Sequence, residues 1–194
     1  MADNAPLRLG LLVSGRGSNM AAIMAAIDRG ALAAEIKLVV SDQPQAPALD
    51  LASECGLETL ALAPKALGGK AAFETRLAEE LKNRQVELVV LAGFMRILSP
   101  VFLAEFPDRV INIHPSLLPS FPGLSAQRQA LDYGVKITGC TVHYVNEIMD
   151  GGRIIAQTAV PVEPDDGLET LSRRILKEEH RLLPEAIGRI ARNR

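Results

Sequence analysis

Residues 7–19 read LRLGLLVSGRGSN, a short apolar run followed directly by a turn with two glycines. The run Leu7–Val13 predicts a buried strand, and the Ala-rich segment after the turn is typical of a helix. A glycine-bearing turn between a strand and a helix points free backbone N–H groups at a ligand, and the helix dipole favours negative charge there. We therefore expect the turn to bind a phosphate, with Ser18 or Asn19 also capping the helix.

An ordinary tight turn with a polar helix cap would explain the same residues, and this stretch alone leaves both interpretations open. Two common nucleotide motifs are absent from it. The dinucleotide fingerprint needs a third glycine where this chain has Met20, and the P-loop needs a Gly-Lys-Ser/Thr that does not follow. The turn therefore suits a phosphomonoester better than a dinucleotide or a nucleoside triphosphate.

The first half of the chain alternates β-branched or Leu-rich runs with segments of helical period. This alternation is typical of an α/β fold with a mostly parallel, twisted sheet and helices on both faces. The half resembles a Rossmann-like mononucleotide-binding unit. We expect its strands at Leu7–Val13, Glu35–Ser41, Leu57–Ala61, Glu87–Ala92 and Arg109–Ile113. We expect its helices at Asn19–Arg29, Pro47–Cys55, Lys70–Asn83 and Pro100–Glu105.

The pattern changes after Ile113, because His114–Leu124 contains three prolines and a glycine and cannot continue a regular element. This loop is long enough to line a site. The remaining elements are expected as a helix at Ala126–Tyr133, a β-hairpin of Val135–Val145 and Arg153–Val162 with an enlarged connection, and a closing helix from Leu168 to Arg192. A length of 194 residues without repeats suits a single domain, 1–194.

Composition excludes several classes of function. The formal net charge of −2 argues against a general nucleic-acid binder. No apolar run reaches the length of about 20 residues that spans a bilayer, and no signal pattern opens the chain, so we expect a cytoplasmic protein without membrane contact. Cys55 and Cys140 form no motif and are interpreted as free thiols, buried by default. No spacing of acidic residues and histidines predicts a metal site, so we expect no metal.

The segments LAGFMRIL, residues 91–98, and VINIHPSLLP, residues 110–119, carry the candidate chemistry. Asn112 and His114 are two residues apart on an extended backbone and therefore share one side of it, at the sheet edge where ligands of open α/β folds bind. An Asn amide can donate to a developing oxyanion, and a His can move a proton near neutral pH. Asp150, before Gly151 and Gly152, is the candidate carboxylate, although an acidic residue before two glycines is also a common turn.

The segments GRGSN, LAGFMRILSP, INIHPSLLPSFPG, GCTVHYV and MDGG, in this order and spacing, resemble the folate-dependent formyltransferase family. The likeness runs from Leu7 to about Pro184, and it is greatest to the members that formylate glycinamide ribonucleotide in purine synthesis. It implies a formyltransferase fold, 10-formyltetrahydrofolate as co-substrate and glycinamide ribonucleotide as acceptor. It also implies a catalytic trio of Asn112, His114 and Asp150, with His114 as proton donor.

The resemblance implies binding residues as well. The substrate phosphate would be held by Gly17, Ser18 and Asn19, and Glu179 would help to bind the glycinamide part. The folate pocket would comprise Lys70, Met95, Arg96, Ile97, Leu98, Asn112, Asn146, Glu147, Ile148, Met149 and Asp150, with Lys70 near the glutamate tail. On this view the N-terminal half binds the ribonucleotide, and the C-terminal half binds folate and carries catalysis.

The chain departs from the family at one motif. Where some members read Pro-Gly-Leu-His-x-His, this chain has Ser125 and Gln127 at the two histidine positions, which puts any role of those imidazoles in doubt. Ser125 is expected instead to cap the following helix. His143, in an apolar run, is interpreted as a hydrogen-bonded core residue or one that supports the site. His180 could approach the phosphate or lie on a solvated helix face.

The expected reaction is direct attack of the substrate amine on the formyl carbon, without an enzyme nucleophile. A 10-formyltetrahydrofolate deformylase, which hydrolyses the donor, is the main alternative, but its relatives carry an N-terminal regulatory domain for which this chain leaves no room. The methionyl-tRNA formyltransferases add a C-terminal nucleic-acid-binding domain that is not expected here. A non-enzymatic phosphate-binding module would leave the trio unexplained. The sequence leaves a monomer and a homodimer open.

Overall fold

A seven-stranded sheet organises the chain. The computed structural model describes residues 5–193, so residues 1–4 and 194 of the expected domain lie outside the described residues. The strands are β1 (Leu7–Val13), β2 (Ala34–Ser41), β3 (Thr59–Ala61), β4 (Leu88–Leu91), β5 (Val110–His114), β6 (Ile137–Tyr144) and β7 (Ile154–Pro161). The helices are α1 (Ser18–Asp28), α2 (Pro47–Glu54), α3 (Lys70–Asn83), α4 (Pro100–Glu105), α5 (Ala126–Tyr133) and α6 (Leu168–Arg192).

The strand order is β3-β2-β1-β4-β5-β6-β7. Strands β1 to β5 pair in parallel, whereas β6 is antiparallel to both β5 and β7. The predicted fold class, a mostly parallel sheet with helices on both faces, is confirmed, and so is the hairpin of β6 and β7. The sequence did not predict that β6 pairs with β5, and this pairing determines the composition of the candidate site.

Helix ends agree with the sequence where Pro or Gly marks them. The predicted bounds of α3, α4, α5 and α6 match the structure. Pro100 opens α4 and Ser99 caps it by accepting a hydrogen bond from the Phe102 N–H, while Gly134 ends α5 in the left-handed conformation. Elsewhere the bounds shift: β3 is shorter than predicted, and His114 belongs to β5 rather than to the loop after it.

The two faces of the sheet carry separate cores. Alternate residues of β1, from Leu7 to Val13, pack with α1, α2 and α6 on one face. Leu12 points to the other face, where α3 and α4 pack. Gly10 lets α3 approach this face closely, because a Cβ there would lie 2.5 Å from the Leu81 side chain. Burial of both faces explains why β4 is apolar throughout and why β1 carries only one charged residue, the half-buried Arg8.

No helix within residues 5–193 is long and apolar enough to cross a membrane. The cytoplasmic location stays a prediction.

Candidate active site

Strand β5 places Asn112 at the end of its neighbour β4 and His114 beyond it. Asn112 is level with Leu91, the last residue of β4, and His114 lies two residues further along. Across the antiparallel pairing, Asn112 is opposite His143 and His114 is opposite Thr141. Residues directly opposite in such a pair share one face of the sheet. Three polar side chains predicted separately, together with Thr141, are therefore adjacent.

The His114 imidazole lies between two acceptors. Its Nε2 donates a hydrogen bond to the Phe121 carbonyl at 2.8 Å, and its Nδ1 lies 3.4 Å from Asp150 Oδ2. The residue is only 5% exposed. Because a carbonyl can only accept, the ring donates from Nε2, and Nδ1 faces the Asp150 carboxylate. The structure thus joins the predicted acid and its predicted carboxylate.

Asp150 is largely buried and has three polar neighbours. Its Oδ2 accepts a hydrogen bond from the Gly123 N–H at 2.7 Å, and its Oδ1 lies 3.7 Å from His143 Nε2. Burial raises the pKa of the Asp150 carboxyl, but the contact with His143, the Gly123 N–H and the two imidazoles together outweigh burial and lower this pKa below its usual range. The carboxylate is therefore ionised at neutral pH.

The turn that carries Asp150 has its own structural requirements. Asp150 has a φ of 52°, in the left-handed region that Asp and Asn tolerate better than most residues. At Gly152, a Cβ would lie 1.7 Å from the Tyr144 carbonyl oxygen, so only glycine fits. The glycines of this motif thus shape the turn, and the Asp150 side chain is left to contact His114.

His143 supports the site from β6. It is 2% exposed, its Nδ1 donates to the Tyr144 carbonyl at 2.9 Å, and its Nε2 lies 3.4 Å from Asn112 Nδ2. Because Nδ1 is bound to the Tyr144 carbonyl, Nε2 is the nitrogen that faces both the Asn112 amide and the Asp150 carboxylate. The interpretation of His143 as a hydrogen-bonded supporting residue agrees with these contacts. Sequence reasoning missed only its specific neighbours, Asn112 and Asp150.

The glycine turn has the geometry of an anion site but not the predicted cap. The residue before α1 is Gly17, with a φ of 78° and no side-chain cap, so capping by Ser18 or Asn19 was wrong. Within residues 5–193, no acceptor binds the backbone N–H groups of Ser18, Asn19 and Met20. A Cβ on Gly17 would lie 2.7 Å from that of Ala48, which explains the glycine.

Asn19 faces the interior instead of the helix end. Its Nδ2 donates to Glu179 Oε2 at 2.9 Å, and both residues are buried. Burial raises the pKa of the Glu179 carboxyl, and the bond from Asn19 opposes part of that rise. Two residues predicted to bind the ribonucleotide are thus in contact, although they come from opposite halves of the chain. His180 is half-buried, which lowers its pKa, so its face of α6 is not fully solvated.

The predicted folate residues lie in two places. Lys70 and Met95–Leu98 line one cavity of about 340 Å³ together with Phe73 and Glu74. Met95 and Ile97 are 74% and 64% exposed, and Ile148 and Met149, in the connection between β6 and β7, are also exposed. Exposed apolar side chains beside a polar cluster are typical of a binding site for a flat, partly apolar molecule.

A second cavity, of about 500 Å³, lies away from these residues. It is lined by the amino-terminal end of β2, the end of α1 and residues 55–58. Its charged groups pair with one another, as Lys37 does with Glu35 and Arg84 does with Glu58. It contains none of the candidate catalytic residues, so chemistry and not cavity size identifies the site.

Ser125 does not act as predicted. It precedes α5, but its φ of 57° is left-handed and its side chain makes no cap. Gln129 serves this helix end instead, donating to the carbonyls of Pro122 and Leu124. This arrangement holds the segment that presents the Gly123 N–H to Asp150. Gln127 has no described contact with the trio.

A profile of the formyl transferase family matches residues 7–187. The chain belongs to the formyl transferase family. It is 43% identical over 183 residues to a phosphoribosylglycinamide formyltransferase of Bacillus subtilis, an alignment that covers 94% of each chain. These formyl transferase relatives share the whole sheet and not only the catalytic segments.

Solved structures of the formyl transferase family agree. A glycinamide ribonucleotide transformylase from Symbiobacterium toebii superimposes with a TM-score of 0.95 at 48% identity, covering 97% of this chain and 89% of that one. A trifunctional purine biosynthetic protein of Drosophila melanogaster is 43% identical over 183 residues, and this chain spans 14% of its length. The formyl transferase fold predicted from the sequence is confirmed.

Within residues 5–193, no group of three or more His, Cys, Asp or Glu is arranged to hold a metal ion. Cys140 is buried, as predicted, whereas Cys55 is exposed. Burial raises the pKa of the Cys140 thiol to about 12, with a smaller contribution from Glu179. Cys140 is therefore a neutral thiol and not a nucleophile. Metal independence stays a prediction.

Proposed function

We propose that this chain transfers the formyl group of 10-formyltetrahydrofolate to the amine of glycinamide ribonucleotide, giving formylglycinamide ribonucleotide and tetrahydrofolate. The observation that carries the proposal is the His114 imidazole, held between the Asp150 carboxylate and the Phe121 carbonyl beside Asn112. A phosphate-binding module has no need for this arrangement. The names of the full-length relatives support the same acceptor.

The reaction needs hydrogen-bond donors that stabilise charge on the formyl oxygen, and a route for the proton that leaves the amine. The amine attacks the formyl carbon, and the negative charge that develops on the formyl oxygen is stabilised by the Asn112 amide and protonated His114. The new C–N bond forms first, giving a tetrahedral oxyanion, and the collapse of this oxyanion breaks the bond to the folate nitrogen. The proton lost by the amine reaches that nitrogen with the help of Asp150 and His114.

Asp150 has two roles in this scheme. Its charge stabilises protonated His114 from 3.4 Å, and it assists the movement of the proton from the amine to the folate nitrogen. His143 limits the freedom of both Asp150 and Asn112 through its Nε2. Positioning of two bound substrates supplies much of the remaining rate, so no covalent formyl-enzyme is needed.

The ribonucleotide and the folate would be bound by different elements of the fold. The free N–H groups of Ser18 and Asn19 at the start of α1 suit the phosphate. The buried Glu179 carboxylate would bind the glycinamide part, and its contact with Asn19 would join the two subsites. Residues 95–98 and 146–149 supply apolar surface for the pterin, and Lys70 supplies a positive charge near the folate tail.

The test supplies purified protein with 10-formyltetrahydrofolate, with and without glycinamide ribonucleotide. Formyl transfer that requires the amine, and formylglycinamide ribonucleotide as product, are the expected results. Tetrahydrofolate release that is independent of the amine would replace the proposal with the deformylase. His114→Ala should abolish transfer, whereas the exposed control Asp28→Asn should not change it.

A further inference from the structure

Three side chains at the ends of neighbouring parallel strands form a polar cluster that the catalytic scheme does not use. Ser14 follows β1, Asp42 follows β2 and Arg96 lies in the loop after β4. Asp42 is only 4% exposed. Its Oδ1 accepts from Ser14 Oγ at 2.6 Å, and its Oδ2 accepts from Arg96 Nε at 2.7 Å and from Gln43 Nε2 at 3.0 Å. Each Asp42 oxygen therefore has a donor.

The cluster attaches the loop of residues 93–98 at two points. Arg96 is bound directly by its ion pair with Asp42. The second attachment passes through Ser14, whose Oγ accepts from the Met95 N–H at 2.9 Å. A serine hydroxyl has one proton, and Asp42 accepts it, so the oxygen lone pairs are left to face the Met95 N–H. Asp42 thus determines which way the Ser14 hydroxyl points.

The middle of this loop has few other supports. Phe94 and Leu98 are buried and hold its two ends, whereas Met95 and Ile97 are largely exposed. The loop lines the cavity that also contains Lys70. A hydrogen bond to a buried charged group is stronger than one between neutral groups, so the two contacts with Asp42 dominate the position of the loop.

Ser14 begins the glycine turn that precedes α1, and the rest of this turn is held by contacts that do not include Asp42. The Gly15 carbonyl accepts from the Ala48 N–H at 3.1 Å, the Gly17 carbonyl accepts from the Ala21 N–H at 2.9 Å, and Gly17 packs against Ala48. None of these contacts involves Asp42. A change at Asp42 should therefore weaken binding of the folate and leave binding of the ribonucleotide unchanged.

We propose that Asp42 is a positioning residue for the folate co-substrate, acting through Arg96 and Ser14 to fix the loop of residues 93–98. This inference rests on the proposed function, because it assigns that loop to folate. Asp42→Asn keeps the volume but has only one oxygen acceptor, and its NH2 group must face either Ser14 or Arg96. The negative charge that pairs with Arg96 is therefore lost, and one of the two oxygens that accept from Ser14 and Arg96 is replaced by a donor, while the fold is kept.

The experiment compares Asp42→Asn with the exposed Asp28→Asn, a substitution of the same kind. We expect the KM for 10-formyltetrahydrofolate, and the Kd for tetrahydrofolate measured by calorimetry, to rise about 10-fold in Asp42→Asn, since a hydrogen bond to a charged group contributes about this factor. The KM for glycinamide ribonucleotide should change less than about 3-fold, because loss of one folate contact leaves the ribonucleotide contacts unchanged. Asp28→Asn should match the wild type.

Ser14 supplies a matched pair of variants. Ser14→Ala removes the acceptor of the Met95 N–H and should raise the same folate constants, whereas Ser14→Thr keeps a hydroxyl and should restore them. A purely structural role for Asp42 would lower the melting temperature or the fraction of active protein without changing the folate Kd, and that result would overturn the inference. An equal rise in both substrate constants would do the same.

Failure of the proposed function would look different. If the wild-type protein binds no tetrahydrofolate and transfers no formyl group, the proposed function is wrong. A wild-type protein that does both, beside an Asp42→Asn protein with an unchanged folate Kd, would remove only the role of Asp42.

Discussion

Replacing Asp150 by Asn removes one negative charge from the site while leaving its turn in place. Asn tolerates the left-handed φ of 52° as Asp does, and its amide oxygen can still accept from the Gly123 N–H. Ala would lose both features, so Asn is the more informative change. The substitution therefore tests the carboxylate charge and not the fold of the turn.

The size of the effect follows from the distance between Asp150 and His114. Unit charges 3.4 Å apart interact by about 5 kcal/mol at an effective dielectric constant of about 20. Desolvation of the carboxylate offsets part of this energy. We expect the transition state to lose about 3–5 kcal/mol, which corresponds to a fall in kcat of about 100- to 10,000-fold and agrees with the usual contribution of a general acid or base.

The assay is steady-state transfer from 10-formyltetrahydrofolate to glycinamide ribonucleotide at neutral pH, with both KM values measured. They should change little, because the phosphate turn and the cavity near Lys70 are unaltered. The double variant with His114→Ala should lose far less than the two separate losses combined, since the residues act as one unit. A folded Asp150→Asn protein with near-normal turnover would refute the reasoning, and strict additivity would deny the coupling.

Three further results are expected. Ser18→Gly should leave the ribonucleotide KM within about 3-fold of wild type, because the proposed phosphate contact is the backbone N–H and not the hydroxyl. Ser18→Pro removes this N–H and should raise the same KM well beyond about 3-fold. Equal ribonucleotide KM values for the two variants would place the phosphate elsewhere. Burial raises the pKa of folded Glu179 above the unfolded value near 4.5, so the free energy of unfolding of the wild type falls as pH rises from the unfolded pKa through the folded one. Glu179→Gln should remove this fall, raise Tm at pH 7.5 by about 2–4 °C and weaken ribonucleotide binding. Calorimetry across pH measures the effect, and a lower Tm of Glu179→Gln at pH 7.5 would contradict it. Dialysis against a strong chelator should leave turnover unchanged, and activity lost and then restored by one divalent ion would contradict this.

Most of the fold could be predicted from local signals. Strand β1 and helices α3 to α6 were placed correctly because apolar periodicity and residues such as Pro100 and Gly134 mark their ends. The pairing of β5 with β6 could not be predicted, because strand propensity does not specify the partner of a strand. Ser125 was misassigned because its residue type suits a cap, whereas its backbone conformation does not allow one.

The candidate site was predicted in part. Asn112 and His114 follow from their spacing, Asp150 from its place before Gly151 and Gly152, and the family resemblance joins the three as a trio. The buried cluster around Asp42 could not be found, because its members are 28 and 54 positions apart in sequence and meet only where three parallel strands end. The contact of Asn19 with Glu179 was also beyond local reasoning, since the amide turns away from the helix end that it was expected to cap.

The bond between Asn19 and Glu179 also has a consequence during protein synthesis, because 160 positions separate the two residues. At roughly 5–20 residues per second, a ribosome needs about 10–30 s to add the second residue after the first. Throughout that interval the nascent chain carries the glycine turn without the carboxylate that Asn19 contacts in the folded protein, so this buried bond forms only after α6 has been made and has docked.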